Sequence, residues 1–170
     1  MAAVYLISEK TIKSYSLIND NVGGEFIKPA VETSQEIFLQ ELIGTQLLRT
    51  LKGMVANTTE PMPEDYKVLL DEYITPYLLN KVTSEITIPL AYKYRNAGIV
   101  QSNTEYANNT QMRDAQTLKT YYDERANFYA IRLGKFLKAH TDKYPEYCAC
   151  SSCGDIKADK MGYNTTILLD

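Results

Sequence analysis

EDYKVLLDEYITPYLLNKVTSEITIPLAYKY, residues 64–94, carries the longest helical pattern in the chain. Apolar side chains recur three and four positions apart along it, which is the spacing of one buried helix face. The members of this stripe are Tyr66, Leu69, Leu70, Tyr73, Ile74, Tyr77, Leu78, Val82, Ile86, Leu90 and Tyr94. Glu64 and Asp65 suit a helix N-terminus, where unpaired backbone N–H groups favour negative charge. We therefore expect a long helix to begin here and to bury this face.

Two prolines and a glycine modify this expected helix. Pro76 and Pro89 each lack the backbone N–H that an α-helix uses and clash with the preceding turn, so we expect a kink or a break instead of one straight rod. Gly98 follows Asn96 and Ala97 at the end of the pattern. We expect it to take the left-handed conformation that closes many helices.

Shorter patterns precede the long helix. Ser8 is a candidate N-cap for a first helix, although the residues before it could equally form an extended arm. A second helix is expected from Glu25, with Pro29 within its first turn or so, where a missing N–H costs little. We expect Gly44 to stop that helix and Thr45 to cap the next one, so that the two helices meet across a very short link.

One more long helix is expected after a polar loop. Its stripe consists of Gln111, Ala115, Leu118, Tyr122, Arg125, Tyr129, Arg132, Leu133, Phe136, Leu137 and His140. We expect Pro145 to close it, and beyond Tyr147 the helical pattern vanishes. The sequence therefore predicts a mainly α fold, a helical bundle of about four to five helices with an extended N-terminal segment and an irregular C-terminal tail. Residues 1–147 are expected to form the helical domain and residues 148–170 a docking tail.

The composition is that of an ordinary globular protein. The 170 residues are 45% hydrophobic and 23% charged, which suits one domain with one core. The net charge of −3 argues against a general nucleic-acid coat, because such a coat needs excess Lys and Arg. The start MAAVYLISEK lacks the basic region of a secretory signal, and no apolar run is long enough to span a membrane. We expect a soluble protein, made in a cytoplasm, with no membrane partner.

All three cysteines lie in CACSSC, residues 148–153. A structural zinc site needs four Cys or His ligands, usually from two separated pairs. Cys148, Cys150 and Cys153 come from one loop, and the single histidine, His140, is the candidate fourth ligand. A disulfide between Cys148 and Cys153 is another alternative, but a cytoplasm keeps thiols reduced. We expect no metal, no cofactor and no catalytic thiol, and we do not expect an enzyme.

The last helix is locally basic in its C-terminal half. The cations there are Arg125, Arg132, Lys135, Lys138 and Lys143. They could contact a polyanion such as DNA, or an acidic partner. A solvated helix face is the alternative. Because Arg125 and Arg132 lie on the apolar stripe, pairing with acids across a helix interface is a third reading.

Tyrosine is unusually common, since the chain has 14 Tyr, 4 Phe and no Trp. A tyrosine ring brings apolar area while its hydroxyl can stay wet, which suits a surface that is buried only on assembly. A tyrosine-rich core is an equal alternative, and the sequence leaves both open.

INDNVGGEFIKPAVETSQEIFLQELIGTQLLRTL, residues 18–51, resembles the opening of the head-to-tail connector, or adaptor, proteins of tailed bacteriophages. The similar features are a short Asn/Asp turn, an apolar-apolar-x-x-Ala helix start and a Leu-x-Gly end into a second helix. In this chain they are Asn19 to Asn21, Phe26, Ile27, Ala30, and Leu42 with Gly44. Residues 66–100 and 121–147 look still closer to one branch, the ring proteins of Bacteroides-infecting phages, including the crAss-like group. The resemblance spans roughly residues 8–165.

The resemblance implies a structural virion protein that forms a ring at the portal vertex. Such a ring, typically of twelve copies, surrounds the DNA channel and connects the capsid portal to the tail. The implied partners are sister copies, the portal protein, adjacent neck or tail rings, and genomic DNA that passes with weak, non-specific contact. The implied location is the virion neck, after assembly in the host cytoplasm. The tail residues expected to dock on a neighbour or on the portal are Tyr163, Ile167, Leu168 and Leu169.

Two alternatives stay open at this level. The chain could be another neck or tail-completion ring component, because packing motifs do not distinguish positions in a stack of rings. It could instead be a cytoplasmic helical interaction module with no virion role. A stable monomer in solution would favour the module, whereas a ring would favour the connector.

Overall fold

The computed structural model describes residues 3–15, 18, 22–57, 59–95, 98–101, 112–148, 156 and 158. Counting each unbroken helical run once, this part of the chain has six helices and one β-hairpin. α1 is Glu9–Tyr15, and α2 runs through Gly24–Thr33, the π-helical Ser34–Leu39 and Gln40–Ile43. α3 is Thr45–Ala56, and α4 runs through Glu64–Val68, the π-helical Leu69–Ile74 and Thr75–Ala91. The hairpin of β1 (Tyr92–Arg95) and β2 (Gly98–Gln101) precedes α5 (Met112–Ala139) and α6 (Pro145–Cys148).

The predicted mainly α bundle is confirmed, and α4 is its central helix. α4 packs along most of its length against α5 and on another side against α2, and it also touches α1. Its Ile74, Leu78 and Val82 are 0% exposed, as are Leu133 and Leu137 of α5. None of the helices in the described residues combines the length and the hydropathy needed to cross a bilayer.

The two π-helical segments correct the phase of a four-residue apolar repeat. In α4 the apolar side chains that meet the core recur at positions 66, 70, 74, 78, 82, 86 and 90. Four residues overshoot an α-helical turn by about 40°, so a strict four-residue repeat winds around an uninterrupted α-helix. A π turn holds more residues than an α turn, so Leu69–Ile74 turns the repeat back toward the core. Ser34–Leu39 does the same in α2, whose buried residues include Ile27, Val31, Gln35, Leu39 and Ile43.

The prolines break neither of the long helices that contain them. α4 continues through Pro76 and Pro89, so the expected break is wrong. Pro76 comes two residues after the π segment, where the backbone ladder already departs from the α pattern that a proline would interrupt. Pro89 lies in the last turn, shortly before the helix ends at Ala91. Pro29 lies in the second turn of α2, one turn later than expected.

Three helix ends differ from the sequence predictions. α4 ends at Ala91, and Gly98 begins β2 instead of capping a helix. α5 ends at Ala139, and a turn over residues 140–143 follows. Pro145 is the first residue of α6, a position where the missing N–H and the fixed φ of proline are tolerated, so it opens a helix instead of closing one.

Gly44 alone separates α2 from α3, which confirms the predicted short link. Its backbone has φ 81° and ψ 157°, a region that residues with a Cβ rarely occupy. Gly44 is therefore both the C-cap of α2 and the N-cap of α3, and Thr45 is the first residue of α3 instead of its cap. The N–H of Thr45 donates to the Ile156 carbonyl at 3.1 Å, which holds the start of the C-terminal tail at this corner.

The N-terminal residues 3–8 carry no helix and pack on α2. Ser8 Oγ accepts the N–H of Thr11 at 3.1 Å, which confirms the predicted cap of α1. The side chain of Gln35, 1% exposed, accepts the Leu6 N–H at 2.6 Å and donates to the Val4 carbonyl at 3.2 Å. A buried amide in α2 thus replaces the backbone partners that a strand or helix would have provided.

Polar contacts attach the segment after α5 to the first turn of α4. Lys143 Nζ lies 2.7 Å from Asp65 Oδ1, and Tyr144 Oη donates to the Asp65 carbonyl at 2.8 Å. Tyr66 Oη donates to Glu146 Oε2 at 2.8 Å. Burial, together with this bond to Glu146, raises the pKa of Tyr66 to about 12, so the phenol remains a neutral donor at neutral pH.

Candidate assembly surface

α5 carries apolar side chains on two sides. The inward side packs on α4 and holds Ala115, Tyr122, Ala126, Leu133 and Leu137, all buried. The other side exposes Leu118 by 43%, Tyr121 by 51%, Phe128 by 65% and Ile131 by 52%. Exposed apolar side chains scattered singly are ordinary, but a contiguous row of them marks an interaction surface.

The exposed row of side chains on this helix is called the outer face of α5. It consists of Leu118, Tyr121, Arg125, Phe128, Ile131 and Arg132, with the exposed Glu124 and Lys135 among them. Steps of three and four residues place most of these side chains on one side, over a length of about 21 Å. Tyrosine, phenylalanine and arginine are the residue types that protein–protein interfaces favour, whereas lysine and the acids are depleted there.

Both arginines of the outer face of α5 lie against tyrosine rings. The guanidinium carbon of Arg125 is 5.5 Å from the centre of the Tyr121 ring, and its Nη1 donates to Tyr121 Oη at 3.3 Å. That of Arg132 is 4.6 Å from the centre of the Tyr73 ring, which belongs to α4. Stacking restrains the two side chains, so less conformational freedom is lost when they bind a carboxylate.

Four charged side chains between α4 and α5 orient α5. Lys81 Nζ lies 2.8 Å from Asp123 Oδ1 and 3.1 Å from Glu85 Oε1, and Lys119 Nζ lies 2.8 Å from Glu85 Oε1. Partial burial opposes ionisation of both acids, but the hydrogen bonds and charges of the two lysines outweigh it and lower the pKa of Glu85 and of Asp123. The rotation of α5 is therefore set on its inner side, which leaves the outer face of α5 in solvent.

The five predicted cations do not form one cluster. Lys143 pairs with Asp65, and this hydrogen bond raises the pKa of Lys143. Arg125 and Arg132 lie on tyrosine rings, and the third reading, in which they pair with acids across a helix interface, stays open. The remaining two predicted cations, both exposed, are Lys135 and Lys138.

The predicted stripe of the last helix was wrong at three positions. Leu118, Arg125 and Arg132 are exposed, not inward. The sequence prediction also missed Tyr121, Phe128 and Ile131 as a surface. A signal for them was present, because positions 118, 121, 125, 128 and 132 form a second regular series beside the buried one.

Tyrosine occurs both in the core and on the surface of the described residues. The buried tyrosines include Tyr77, Tyr122, Tyr144 and Tyr147. Burial raises the pKa of Tyr77 well above its ordinary value, because the core disfavours the phenolate. Tyr15 and Tyr121, in contrast, are 78% and 51% exposed. Part of the tyrosine surplus thus fills the core, and part lies on the surface.

The candidate zinc ligands and the docking residues of the tail fall mostly outside the described residues. His140 Nδ1 lies 2.9 Å from the Phe136 carbonyl oxygen, and its ring centre is 4.4 Å from that of Phe136. The side chains outside the described residues are those of Cys148, Cys150, Cys153, Tyr163, Ile167, Leu168 and Leu169. Among the described residues, no three His, Cys, Asp or Glu side chains lie close enough together to hold a metal ion. Both the zinc alternative and the docking tail stay predictions.

A concave surface lies between the N-terminal residues and α2. This open groove has a volume of about 440 Å³, and its apolar lining includes Val4, Ile7, Ile27, Val31 and Val55. Glu9 and Lys28 lie at the same groove and carry opposite charges. The groove suits the packing of apolar side chains better than acid–base chemistry, which relies on titratable groups that converge on one point.

The fold defines a class, that of mainly α-helical bundle proteins. The chain belongs to a family of unknown function, DUF6712, which matches residues 39–157. The match covers the part of the chain from the π segment of α2 to the start of the tail. No curated protein and no solved structure matches the chain.

Proposed function

We propose that this protein is a non-enzymatic structural subunit of a tailed-bacteriophage virion. In this proposal copies of the chain, twelve as in the connector proteins it resembles, form a ring at the portal vertex. The ring joins the capsid portal to the tail and surrounds the DNA channel. The resemblance of residues 18–51, 66–100 and 121–147 to connector and ring proteins supports the proposal.

The outer face of α5 is the observation that carries the proposal. A ring requires every copy to bury surface against its neighbours. Phe128, 65% exposed, and Ile131, 52% exposed, are costly to leave in water in every copy, and burying one such side chain fully is worth about 1.5–3 kcal/mol. Arg125 and Arg132 beside them add charge-assisted hydrogen bonds to an acidic neighbour.

The remaining cations fit weak contact with DNA. Lys135 and Lys138 are exposed near the C-terminal end of α5. Genome passage requires contacts that are weak and independent of sequence, and a few lysines provide such contacts through phosphates. The net charge of −3 is compatible with this role, because a channel that bound DNA strongly would impede its movement.

The tail supplies the second contact of the proposal. Ile156 and Ala158 pack beside Gly44, at the corner between α2 and α3. Ile167, Leu168 and Leu169 are expected to dock on the portal or on an adjacent ring from that corner.

Light scattering after size-exclusion chromatography, followed by electron microscopy of the peak, tests the proposal. We expect the purified chain to form closed rings, either alone or on a portal ring added to it. The double variant Phe128→Glu with Ile131→Glu is expected to assemble at least roughly tenfold more weakly, because it buries carboxylates in an apolar contact. The matched control Tyr15→Glu changes a side chain that is 78% exposed on α1 and is expected to assemble like the wild type.

Other results would replace the proposal. A chain that stays monomeric at high concentration and ignores the portal ring would favour a cytoplasmic helical interaction module. A ring that binds tail components but not the portal would favour a tail-completion ring lower in the neck. Equal assembly of the α5 variant and the Tyr15 control would remove the outer face of α5 from the contact.

A further inference from the structure

α2 presents an exposed acidic face. The outer face of α2 is defined here as Glu25, Glu32, Glu36, Ile37 and Glu41, all exposed, with Lys28 as the cation among them. Ile37 is 57% exposed although it lies in the middle of the helix. Glu36 also pairs with Lys52 of α3. This surface is apolar at one point and negative around it, and it is the counterpart of the outer face of α5 in charge.

The π segment of α2 explains why the acids and Ile37 share one side. Ser34–Leu39 is π-helical, so the turn between the buried Gln35 and Leu39 is wider than an α turn. Glu36 and Ile37 follow Gln35 and are carried outward together. Glu32 and Glu41 flank them on the same outward side, which leaves carboxylates on both sides of an exposed isoleucine.

The centres of the two outer faces, Ile37 and Phe128, are both exposed within one molecule. α2 and α5 both pack on α4 with their buried sides, and the last turn of α2, Gln40–Ile43, also touches α5. Because both side chains are exposed in the single chain, they are available to the surface of a second copy.

Charge decides between the two ways in which copies could pair. If the outer faces of α5 paired with each other, both copies would bring the positive charge of Arg125 and Arg132 into the same contact. The outer face of α2 offers carboxylates to those guanidinium groups and Ile37 to Phe128 and Ile131. The second arrangement uses two different surfaces per copy, which is the head-to-tail contact that generates a ring when the rotation closes.

We propose that the outer face of α5 of one copy binds the outer face of α2 of the next copy, in a heterologous contact centred on Phe128 and Ile37. Arg125 and Arg132 bind carboxylates of α2 across this contact. This inference rests on the proposed ring, and it names the second half of the ring interface and the residues that hold it.

Charge reversal followed by mixing tests the pairing. The first variant carries Arg125→Glu with Arg132→Glu, and the second carries Glu32→Lys with Glu41→Lys; Glu36 is left intact to keep its pair with Lys52. Each variant alone places like charges across the contact, so we expect its assembly to weaken at least roughly tenfold. An equimolar mixture restores opposite charges at every contact of an alternating ring, so we expect it to assemble again. Native mass spectrometry measures whether both variants are present in the same particle.

Matched controls separate this pairing from a general effect of charge. Glu60→Lys with Glu72→Lys, and Lys10→Glu with Lys67→Glu, change the net charge by the same amounts at other exposed positions. We expect these chains to assemble like the wild type and their mixture to show no gain. Thermal unfolding followed by circular dichroism verifies that every variant is folded before its assembly is compared.

The outcomes distinguish this inference from the proposed function. If the wild type forms rings and the Phe128 and Ile131 variant does not, but the α2 variant assembles normally, the ring stands and α2 is not the partner. If both reversed variants dissociate and their mixture stays apart, the two faces do not bind each other and the pairing is wrong. If the wild type forms no ring with or without the portal, the proposed function itself fails.

Discussion

At the scale of single residues, Gly44 determines how α2 meets α3. With φ 81° and ψ 157° it lies in a region that is essentially restricted to glycine. A Cβ at this position would lie 3.1 Å from the backbone nitrogen of Ala158, so the tail also approaches too closely for a side chain. One residue thus sets the turn between two helices and provides space for the tail.

We expect Gly44→Ala to lower the free energy of unfolding by about 1–3 kcal/mol, because alanine is strained in this backbone conformation. Chemical denaturation monitored by circular dichroism measures the loss. Gly53→Ala is the matched control. Gly53 lies in α3 with no atom within 4 Å of an added Cβ, so alanine there is expected to stabilise the protein by about 0.5–1 kcal/mol. Equal effects of the two substitutions would contradict the role given to Gly44.

At the scale of helices, much of the architecture was predictable from local pattern. Ser8, Gly44 and the acids of Glu64 and Asp65 marked real helix boundaries, because capping and turn chemistry act over a few residues. The two π segments were not predicted, since their cause is the phase of the buried face of α2 and of α4 against the rest of the core. The sequence pattern also placed Arg125 on the buried side of α5, whereas the structure exposes it, and the reason is related.

Two regular series compete on α5, and spacing alone does not rank them. The structure buries the series that includes Ala115 and Ala126, 2% and 1% exposed. Small side chains let the axes of two helices approach closely, so this side fits against α4. The size of the side chains that meet α4, which periodicity does not capture, therefore determined which face of α5 is buried and which is exposed.

Deletion of Glu72 tests the role of the π segment in α4. A π turn contains one residue more than the α turn that it replaces, so removing one exposed residue lets Leu69–Ile74 revert to α-helix while the flanking turns keep their orientation. We expect the deletion variant to fold with a modest loss of thermal stability. Deletion of Glu124, an exposed acid in the uninterrupted α5, is the control.

The control deletion is expected to behave differently because α5 has no extra residue to lose. It would rotate residues 125–139 by about 100° relative to the first half of the helix, and Leu133 and Leu137 would leave the core. We expect that variant to be unfolded or strongly destabilised by circular dichroism and thermal unfolding. Similar stability of the two deletion variants would show that the π segment has no special tolerance.

At the scale of the whole molecule, residues 3–8 near one end and residues 156 and 158 toward the other pack against the central bundle. Residues 3–8 are held by Gln35, and the tail returns to the corner at Gly44. Ala158 is 9% exposed there, although helical periodicity in the sequence ends well before it. The start of the tail is therefore part of the folded body, and the predicted docking role concerns the residues beyond it.

Two truncations test this division. A chain that ends at Asp159 keeps the bond between Thr45 and Ile156 and is expected to retain the stability of the full chain. A chain that ends at Gly154 loses that bond and the packing of Ala158, so we expect it to fold with a free energy of unfolding lower by about 1 kcal/mol. Both truncated chains lack the docking residues and are expected to bind a portal ring more weakly. Equal stability of the two truncated chains in chemical denaturation would show that Ile156 and Ala158 add nothing to the fold.

The meeting of tail and corner at Gly44 has a mechanical consequence. A partner that binds the tail and pulls on it applies tension where α2 meets α3. A single residue connects the two helices there, so no flexible loop can extend to absorb the tension. The force reaches both helices at once through Thr45 and Ile156. One backbone hydrogen bond and the packing of Ala158 hold the start of the tail, whereas a whole core holds the helices. The tail is therefore expected to detach under tension while the bundle stays intact.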